Sequence, residues 1–358
     1  MKTIDIIILE NDKLVRQRLE DAIGETTGIN IIELSGLNDL NHIKEIIKET
    51  PPDVILLGID DTDSDEMRFF NYLRKNHPHI PILVMTQHTR EGAKIAISAL
   101  KKGAVEFFPK TTVLSGSILT EDYFKKRVIP VIKVAPRFNR SVLLSQHFVD
   151  TAVKKMEPIS PDFFKNSLSQ MELVVIAGCL GGVAPLYLLL SSFPDNLPVP
   201  VIVVQHMVEI YSEVLAEDLN RYTKLQVKEA ENGEELKPGW VYIAPGDYHV
   251  LTNRKNQKNY ITLNHGPKVA GFRPSIDILL KSSSQQFGKK VLTVYLSGGG
   301  NDGIEGAKVI DIIGGQIIIQ NERTSLLSDI SWKVGSYGIN DGSYPLERLG
   351  QEISRRLV

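Results

Sequence analysis

The chain has 358 residues, 42% of them hydrophobic, which is long enough for two domains with a core each. Its 41 basic and 43 acidic side chains leave a formal net charge of -2 with no long basic stretch, which speaks against nucleic acid and anionic membrane as partners. A single cysteine excludes an internal disulfide and fits a reducing cytoplasm, and no apolar run approaches the roughly 20 residues of a spanning helix, so no membrane insertion is expected.

The opening MKTIDIIILEND has one lysine, a short apolar core and then acids, which reads as a first strand and not as a signal peptide. Up to about residue 112, apolar runs alternate with helical patterns. The runs are IDIIIL, INIIEL, DVILLGI, PILVMT and AVEFF, with helices from Arg16 to Ile23 and from His42 to Ile47. This predicts a small parallel five-stranded α/β domain. A last helix runs from Glu121 to about Val134, where Pro130 is expected to kink or shorten it. From Ala135 to Gln170 periodicity is weak and Pro136, Pro158 and Pro161 are scattered, which reads as a linker. The predicted organisation is a first domain over 1–134, a linker over 135–170 and a second domain over 171–358. Both domains fall in the α/β class, each a doubly wound parallel sheet.

Three apolar runs of the second domain end on chemistry. MELVVIAG leads into Cys179, PVPVIVVQ into His206, and KKVLTVYLSGGGN into Asp302. Each reads as a buried parallel strand, and ligands of open parallel sheets sit beyond the carboxyl ends of the strands. A thiol, an imidazole and a carboxylate at such tips are a nucleophile, a base and an orienter. Gly178, Gly181 and Gly182 permit a tight turn around Cys179 before the helix-like GGVAPLYLLLSSF. A helix N-terminus contributes only about 0.3–1 kcal/mol, under about one pK unit, so His206 is needed to ionise the thiol. Asp302 would then fix the imidazole tautomer. The order nucleophile, histidine, aspartate differs from that of α/β-hydrolases. Arg273 in GFRPS is expected to be an exposed cation that orients substrate or else caps structure.

Other patterns compete. Gly298 to Gly303 reads G-x-G-x-x-G, with Glu322 where a ribose-binding acid would stand, which suggests a nucleotide-binding module but leaves Cys179 and His206 without roles. Asp61, Asp63 and Asp65 alternate like a calcium loop, yet the required glycine and glutamate are Glu66 and Tyr72, so a solvated acidic loop is expected. His77, His79 and His88 lack ligand spacing, and no metal site is expected. Trp240 and His249 read as structural, packing beneath the sheet and supporting a loop.

ILENDKLVRQRLEDAI, PILVMTQHT and GAVEFFPK together resemble the bacterial response-regulator receiver, a flavodoxin-like fold. Thr86 and Lys110 match that family's switch hydroxyl and phosphate-pairing lysine. The acidic pair is Glu10 and Asn11, and the phosphoacceptor position is Gly58, so the resemblance implies a receiver that cannot be phosphorylated in the family's way. Asp60 and Asp61 lie past the strand end and are poor substitutes.

VVIAGCLGG, VVQHM, VYIAPGDYHV, GFRPSIDILL and LSGGGNDGIEGA resemble the catalytic domain of the CheB family of chemotaxis protein-glutamate methylesterases, a Rossmann-like α/β domain. The resemblance places the family's catalytic serine, histidine and aspartate on Cys179, His206 and Asp302, and its oxyanion and loop positions on Leu180 and Gly299. It implies hydrolysis of γ-glutamyl methyl esters, with glutamine deamidation besides, no cofactor, a cytoplasmic setting, and chemoreceptor cytoplasmic domains and a signalling kinase as partners. The chain departs from the family where Ser-Thr becomes Cys179-Leu180, where a methionine becomes Gly299, and where Gly-Met-Pro becomes Ser328-Asp329-Ile330. A non-catalytic regulator of the same fold is the alternative that these departures raise.

Overall fold

Continuous apolar runs and short capped helices alternate along the chain, and the central runs become buried parallel strands. The computed structural model describes residues 3–37, 39–110, 121–137, 149, 153, 158–165 and 169–358. The chain divides into two compact units, Met1–Thr151 and Ala152–Val358. Much of the expected linker 135–170 lies outside the described residues.

The first unit runs β1 (Ile4–Leu9), α1 (Lys13–Gly24), β2 (Ile29–Ser35), α2 (Leu40–Glu49), β3 (Val54–Gly58), α3 (Asp65–Asn76), β4 (Ile82–Gln87), α4 (Arg90–Lys101) and β5 (Glu106–Lys110). Its sheet is parallel, in the order β2-β1-β3-β4-β5. Helices cover both faces, so VILLG of β3 is buried throughout. Helix starts fall where a short polar side chain can accept orphan amide protons: Asp12 from Leu14 and Val15, Ser64 from Met67, and Thr89 from Gly92.

Two elements differ from the sequence pattern. β5 lies two residues later than AVEFF suggests, because the register with β4 pairs Leu83 with Glu106 and continues to Gln87 with Lys110. Pro109 fits there, since β5 is an edge strand and one flank needs no donor. The last helix is neither stopped nor shortened by Pro130. It runs as α5 over 121–134, with α-helical ends and a π-helical turn at Phe124–Val128, where the Ile129 amide donates to the Phe124 carbonyl. The wider turn absorbs the missing amide proton that would otherwise break the ladder.

The second unit runs β6 (Leu173–Gly178), α6 (Val183–Ser192), β7 (Val201–Gln205), α7 (Glu209–Tyr222), β8 (Gln226–Glu229), β9 (Trp240–Ile243), β10 (His249–Lys255), β11 (Lys258–Asn264), α8 (Ile276–Phe287), β12 (Val291–Tyr295), α9 (Ile304–Ile312), β13 (Gln316–Gln320), α10 (Asp329–Ser336), β14 (Ser343–Tyr344) and α11 (Leu346–Leu357). Seven strands form one parallel sheet in the order β14-β13-β12-β6-β7-β9-β8, and β10 and β11 form a separate antiparallel hairpin. From β6 the chain proceeds outward through β7, then returns to β12 on the opposite flank of β6. That reversal is a topological switch point, where adjacent loops part and leave a crevice. Cys179, His206 and Asp302 follow the three strands that meet there.

Candidate active site

The nucleophile turn is built by contacts that glycine alone permits. The Cys179 amide donates to the Ser297 carbonyl at 3.0 Å, tying the turn to the end of β12. The Gly182 amide closes the turn on the Cys179 carbonyl at 3.0 Å. Gly181 has φ +76°, and a Cβ there would lie 2.6 Å from both Leu326 Cβ and Ser297 Oγ. Gly298 passes so close that a Cβ on it would lie 2.9 Å from Cys179 Cβ. At Gly299 a Cβ would meet only Leu327 Cδ1 at 3.9 Å, so space does not demand glycine at that position.

His206 follows β7 with its amide held by the Gly178 carbonyl at 3.0 Å. Its Nε2 lies 2.8 Å from Asp302 Oδ2. The ring is stacked on Phe272, with centroids 3.9 Å apart and planes 16° from parallel. Nδ1 is buried without a completed hydrogen bond, and the Cys179 side chain is close enough to act on the imidazole as a charge and as a partner. Burial by itself lowers the imidazole pKa. Cys179 and Asp302 outweigh it and hold His206 above its ordinary value.

Asp302 is 1% exposed and fully partnered. Oδ1 accepts from Ser275 Oγ at 2.6 Å and from the Asp277 amide at 3.2 Å, while Oδ2 accepts from the Ile276 amide at 2.7 Å and faces His206. The carboxylate therefore sits on the N-terminus of α8, where unsatisfied amides and the helix dipole favour negative charge. Burial pushes its pKa up, but His206, Ser275 and the Ile276 amide prevail and hold it below the ordinary value. The arrangement is reciprocal. Asp277, from the first turn of α8, accepts the Gly306 amide of α9 at 2.6 Å through Oδ1, and burial raises its pKa.

Several partners in this site escape a reading of the sequence. Gln205 Nε2 donates to the Cys179 carbonyl at 2.6 Å, and Ser297 Oγ donates to the Leu180 carbonyl at 2.8 Å. Lys333 Nζ gathers the Gly300 carbonyl, Asn301 Oδ1 and Asp329 Oδ2 within 2.9 Å, pinning the glycine-rich loop at the segment where the family's Gly-Met-Pro is replaced. Ser275, the partner of Asp302, does carry a usable sequence signal, a serine ahead of the helical pattern IDILL.

Arg273 is not the exposed cation expected of it. Its side chain is 13% exposed, with Nε and Nη2 on Asp247 Oδ1 at 3.0 and 2.6 Å and Nη1 on the carbonyls of Gly266 and His265 at 2.7 and 3.2 Å. Burial raises the Asp247 pKa, but the bonds and charges of Arg273 and His265 together outweigh it and hold the carboxyl below its ordinary value. His249 Nε2 lies 2.9 Å from the Pro267 carbonyl, and Trp240 packs partly buried against the core. Within the nucleotide-like fingerprint, Gly298 faces Cys179 and Asp302 faces His206, and Glu322 stands in a 3-10 turn (Glu322–Thr324) beyond β13.

In the first unit the residues of the expected phosphorylation site come together in an unexpected way. A Cβ on Gly58 would lie 2.2 Å from Glu10 Oε2 and 2.9 Å from Lys110 Nζ. Lys110 Nζ is 2.9 Å from Glu10 Oε1 and 2.8 Å from Asp60 Oδ1. Burial raises the Glu10 pKa despite Lys110. Asn11 is turned away from this cluster: its Nδ2 donates to Glu66 and its Oδ1 accepts from the Leu37 amide. Thr86 is buried in β4, next to Met85, the register partner of Gly58. In the acidic loop, Asp61 Oδ1 accepts the Asp63 amide at 2.9 Å. Among the described residues, no cluster of three His, Cys, Asp or Glu could hold a metal, and no helix is long and apolar enough to cross a membrane.

A parallel α/β domain with a thiol, an imidazole and a buried carboxylate at its switch point defines a hydrolase-like class. Comparison with known proteins places the chain within that class. Residues 174–353 match the CheB methylesterase family and residues 6–115 match the response regulator receiver domain, so the chain belongs to the CheB methylesterase family with a receiver domain ahead of it. It is 28% identical over 362 residues, 100% of both chains, to a protein-glutamate methylesterase/protein-glutamine glutaminase of Trichodesmium erythraeum. It is 31% identical over 325 residues to a protein of the same name, number 2, from Shewanella sp. strain MR-7, covering 91% of this chain and 90% of the relative. The crystal structure of the Thermotoga maritima CheB methylesterase catalytic domain superposes with TM-score 0.51 at 34% identity, covering 52% of this chain and 98% of that one.

Proposed function

We propose that the chain is a protein-glutamate methylesterase and glutamine deamidase that works through Cys179, His206 and Asp302. The observation that carries this reading is the 2.8 Å contact between His206 Nε2 and Asp302 Oδ2 beside Cys179, at the meeting of β6, β7 and β12. With Nε2 donating to Asp302, Nδ1 is the nitrogen left to take the thiol proton. Such contacts are often long in a free enzyme and tighten with substrate.

In this reading Sγ attacks the γ-carbonyl carbon of a glutamate methyl ester, and the carbonyl electron pair moves onto oxygen. The amides of Leu180 and Gly299 receive that oxyanion. The pair returns, the C–O bond to the methoxy group breaks, and His206 Nδ1 gives methanol its proton. Water then attacks the thioester carbon as His206 takes a proton, the C–S bond breaks, His206 returns the proton to Sγ, and glutamate is released. A glutamine side chain follows the same path with ammonia leaving. The stacked Phe272 keeps water off the imidazole face.

The partners that fit are the cytoplasmic segments of methyl-accepting chemoreceptors, with a signalling kinase docking on the receiver, in the cytoplasm. The proposed division is a receiver over 1–134, a linker over 135–170 and a catalytic domain over 171–358. The test is release of methanol from a methylated receptor fragment, with ammonia release from the glutamine form alongside. Release that Cys179→Ala abolishes supports the reading. Absence of release at any enzyme concentration leaves a non-catalytic regulator as the better account.

A further inference from the structure

Gln205 closes β7 immediately before His206, in register with Gly178, and is 3% exposed. Its carboxamide lies in the crook of the nucleophile turn. Nε2 donates to the Cys179 carbonyl at 2.6 Å, and Oε1 stands 2.3 Å and 2.5 Å from where a Cβ on Gly178 or Gly182 would lie. Burying a carboxamide costs free energy unless it makes specific bonds, and here two glycines are needed to admit it. The Gly182 amide already bonds the Cys179 carbonyl at 3.0 Å, so satisfying that oxygen is not the whole reason for the contact.

The carbonyl of Cys179 and the amide N–H of Leu180 belong to one peptide plane and point in opposite directions, because the bond is planar and trans. Holding the carbonyl on the Gln205 side therefore fixes the N–H on the other side. The next carbonyl, of Leu180, is held by Ser297 Oγ from the β12 flank. The two successive peptide planes of the turn are thus held one by Gln205 at the end of β7 and the next by Ser297 beyond β12.

We propose that Gln205 is a positioning residue that, by holding the Cys179 carbonyl, aims the Leu180 N–H at the oxygen that gains charge when Cys179 attacks a carbonyl. This rests on the reading of Cys179 as an acyl-transfer nucleophile. The bond that Gln205 makes to the turn is to the Cys179 carbonyl. Its loss should weaken stabilisation of the oxyanion while leaving the thiol reactive.

The test compares wild type, Gln205→Met and Gln205→Glu in the full chain. Three readouts are used: ester hydrolysis, alkylation of Cys179 by iodoacetamide, and protection from alkylation by a peptide whose glutamate γ-carboxyl is replaced by an aldehyde. The thiolate adds to the aldehyde carbon, the carbonyl pair moves to oxygen and takes a proton, so protection reports the tetrahedral adduct without turnover. Gln205→Met should lower kcat roughly 10–100-fold, less than the roughly 10²–10³-fold loss for outright removal of an oxyanion donor, and should weaken aldehyde protection in proportion. KM and the alkylation rate should stay within about twofold of wild type. Gln205→Glu should recover toward wild type at acid pH relative to Gln205→Met, because a protonated carboxyl regains a donor for the Cys179 carbonyl.

Wild-type protection and hydrolysis retained by Gln205→Met would overturn the proposal. So would a parallel loss of alkylation and protection, which would mean that Gln205 merely holds Cys179 in place. A wild type that the aldehyde never protects removes the nucleophile reading itself, and this inference with it.

Discussion

The Glu10 carboxylate fills the space that a side chain at Gly58 would need, and Lys110 is paired with it. If Gly58 stands at the acceptor position, as the sequence resemblance implies, no acceptor is present and the Glu10 carboxylate occupies the space one would need. Acetyl phosphate with Mg²⁺ should therefore leave the intact mass unchanged. Restoring the acceptor by Gly58→Asp should destabilise the receiver by about 1–3 kcal/mol, the usual cost of overpacking, and should still give no phosphorylation. Adding Glu10→Ala clears the space and should relieve the loss, as urea unfolding would read. A phosphoryl group gained by Gly58→Asp alone would refute this account.

Cys179 should alkylate as an activated thiol. Because Cys179 and Asp302 hold the His206 imidazole above its ordinary value of 6.5 against burial, the imidazolium persists to higher pH than in a free histidine. Fast iodoacetamide reaction should therefore extend through neutral pH, and His206→Ala should slow it at least about tenfold. Cys179→Ser should keep or raise ester hydrolysis. A wild-type rate equal to that of an unperturbed thiol would count against the pair.

Asp302 links the site to stability. Its folded pKa lies below the ordinary 3.8, so its contribution is present above that value and is lost as pH falls through the folded pKa. Asp302→Asn should cost about 1–3 kcal/mol at neutral pH, since the α8 amides and Ser275 lose a charged acceptor. The gap between wild type and variant should begin to narrow in urea melts below about pH 4 and shrink further as pH falls. A gap that is constant from pH 7 to pH 3 would show that charge is not what α8 holds.

Arg273→Met should destabilise the catalytic unit by about 1–3 kcal/mol through loss of the bridge from Asp247 to the Gly266 and His265 carbonyls. Arg273→Lys should rescue little, because one ammonium cannot span a carboxylate and two carbonyls. If the variants melt like wild type while KM rises, the guanidinium serves substrate and not the loop.

The parts legible in the sequence are those with a local signature. Apolar runs marked the strands of the first sheet and β6, β7 and β12 of the second, and the polar residue after each of those three drew attention to Cys179, His206 and Asp302. The parts that were not legible depend on contacts remote in sequence. Gln205 reads as the last residue of a strand until β7 is paired with β6, and Glu10 reads as half of an acidic pair until β1 and β3 are adjacent and Gly58 leaves its gap. Phe272 looks like loop filler until its ring lies on His206. Arg273 reads as exposed because a lone arginine in a glycine and proline loop carries no mark of its partner, Asp247, 26 residues away. Pro130 does not shorten the last helix, because the π turn ahead of it offers a way past the missing proton that a local reading of the proline does not show.

The exchange between Asp302, seated on α8, and Asp277, seated on α9, has an evolutionary consequence. Each acid serves the other's helix, so neither can drift alone: a lineage that loses Asp277 also loosens the end of α9 that follows Asp302. Replacing either acid alone therefore leaves one helix end without its side-chain acceptor. Cys179 sits outside that loop of mutual support. Its exchange for serine disturbs neither acid, so the nucleophile could change element while the rest of the triad stayed in place.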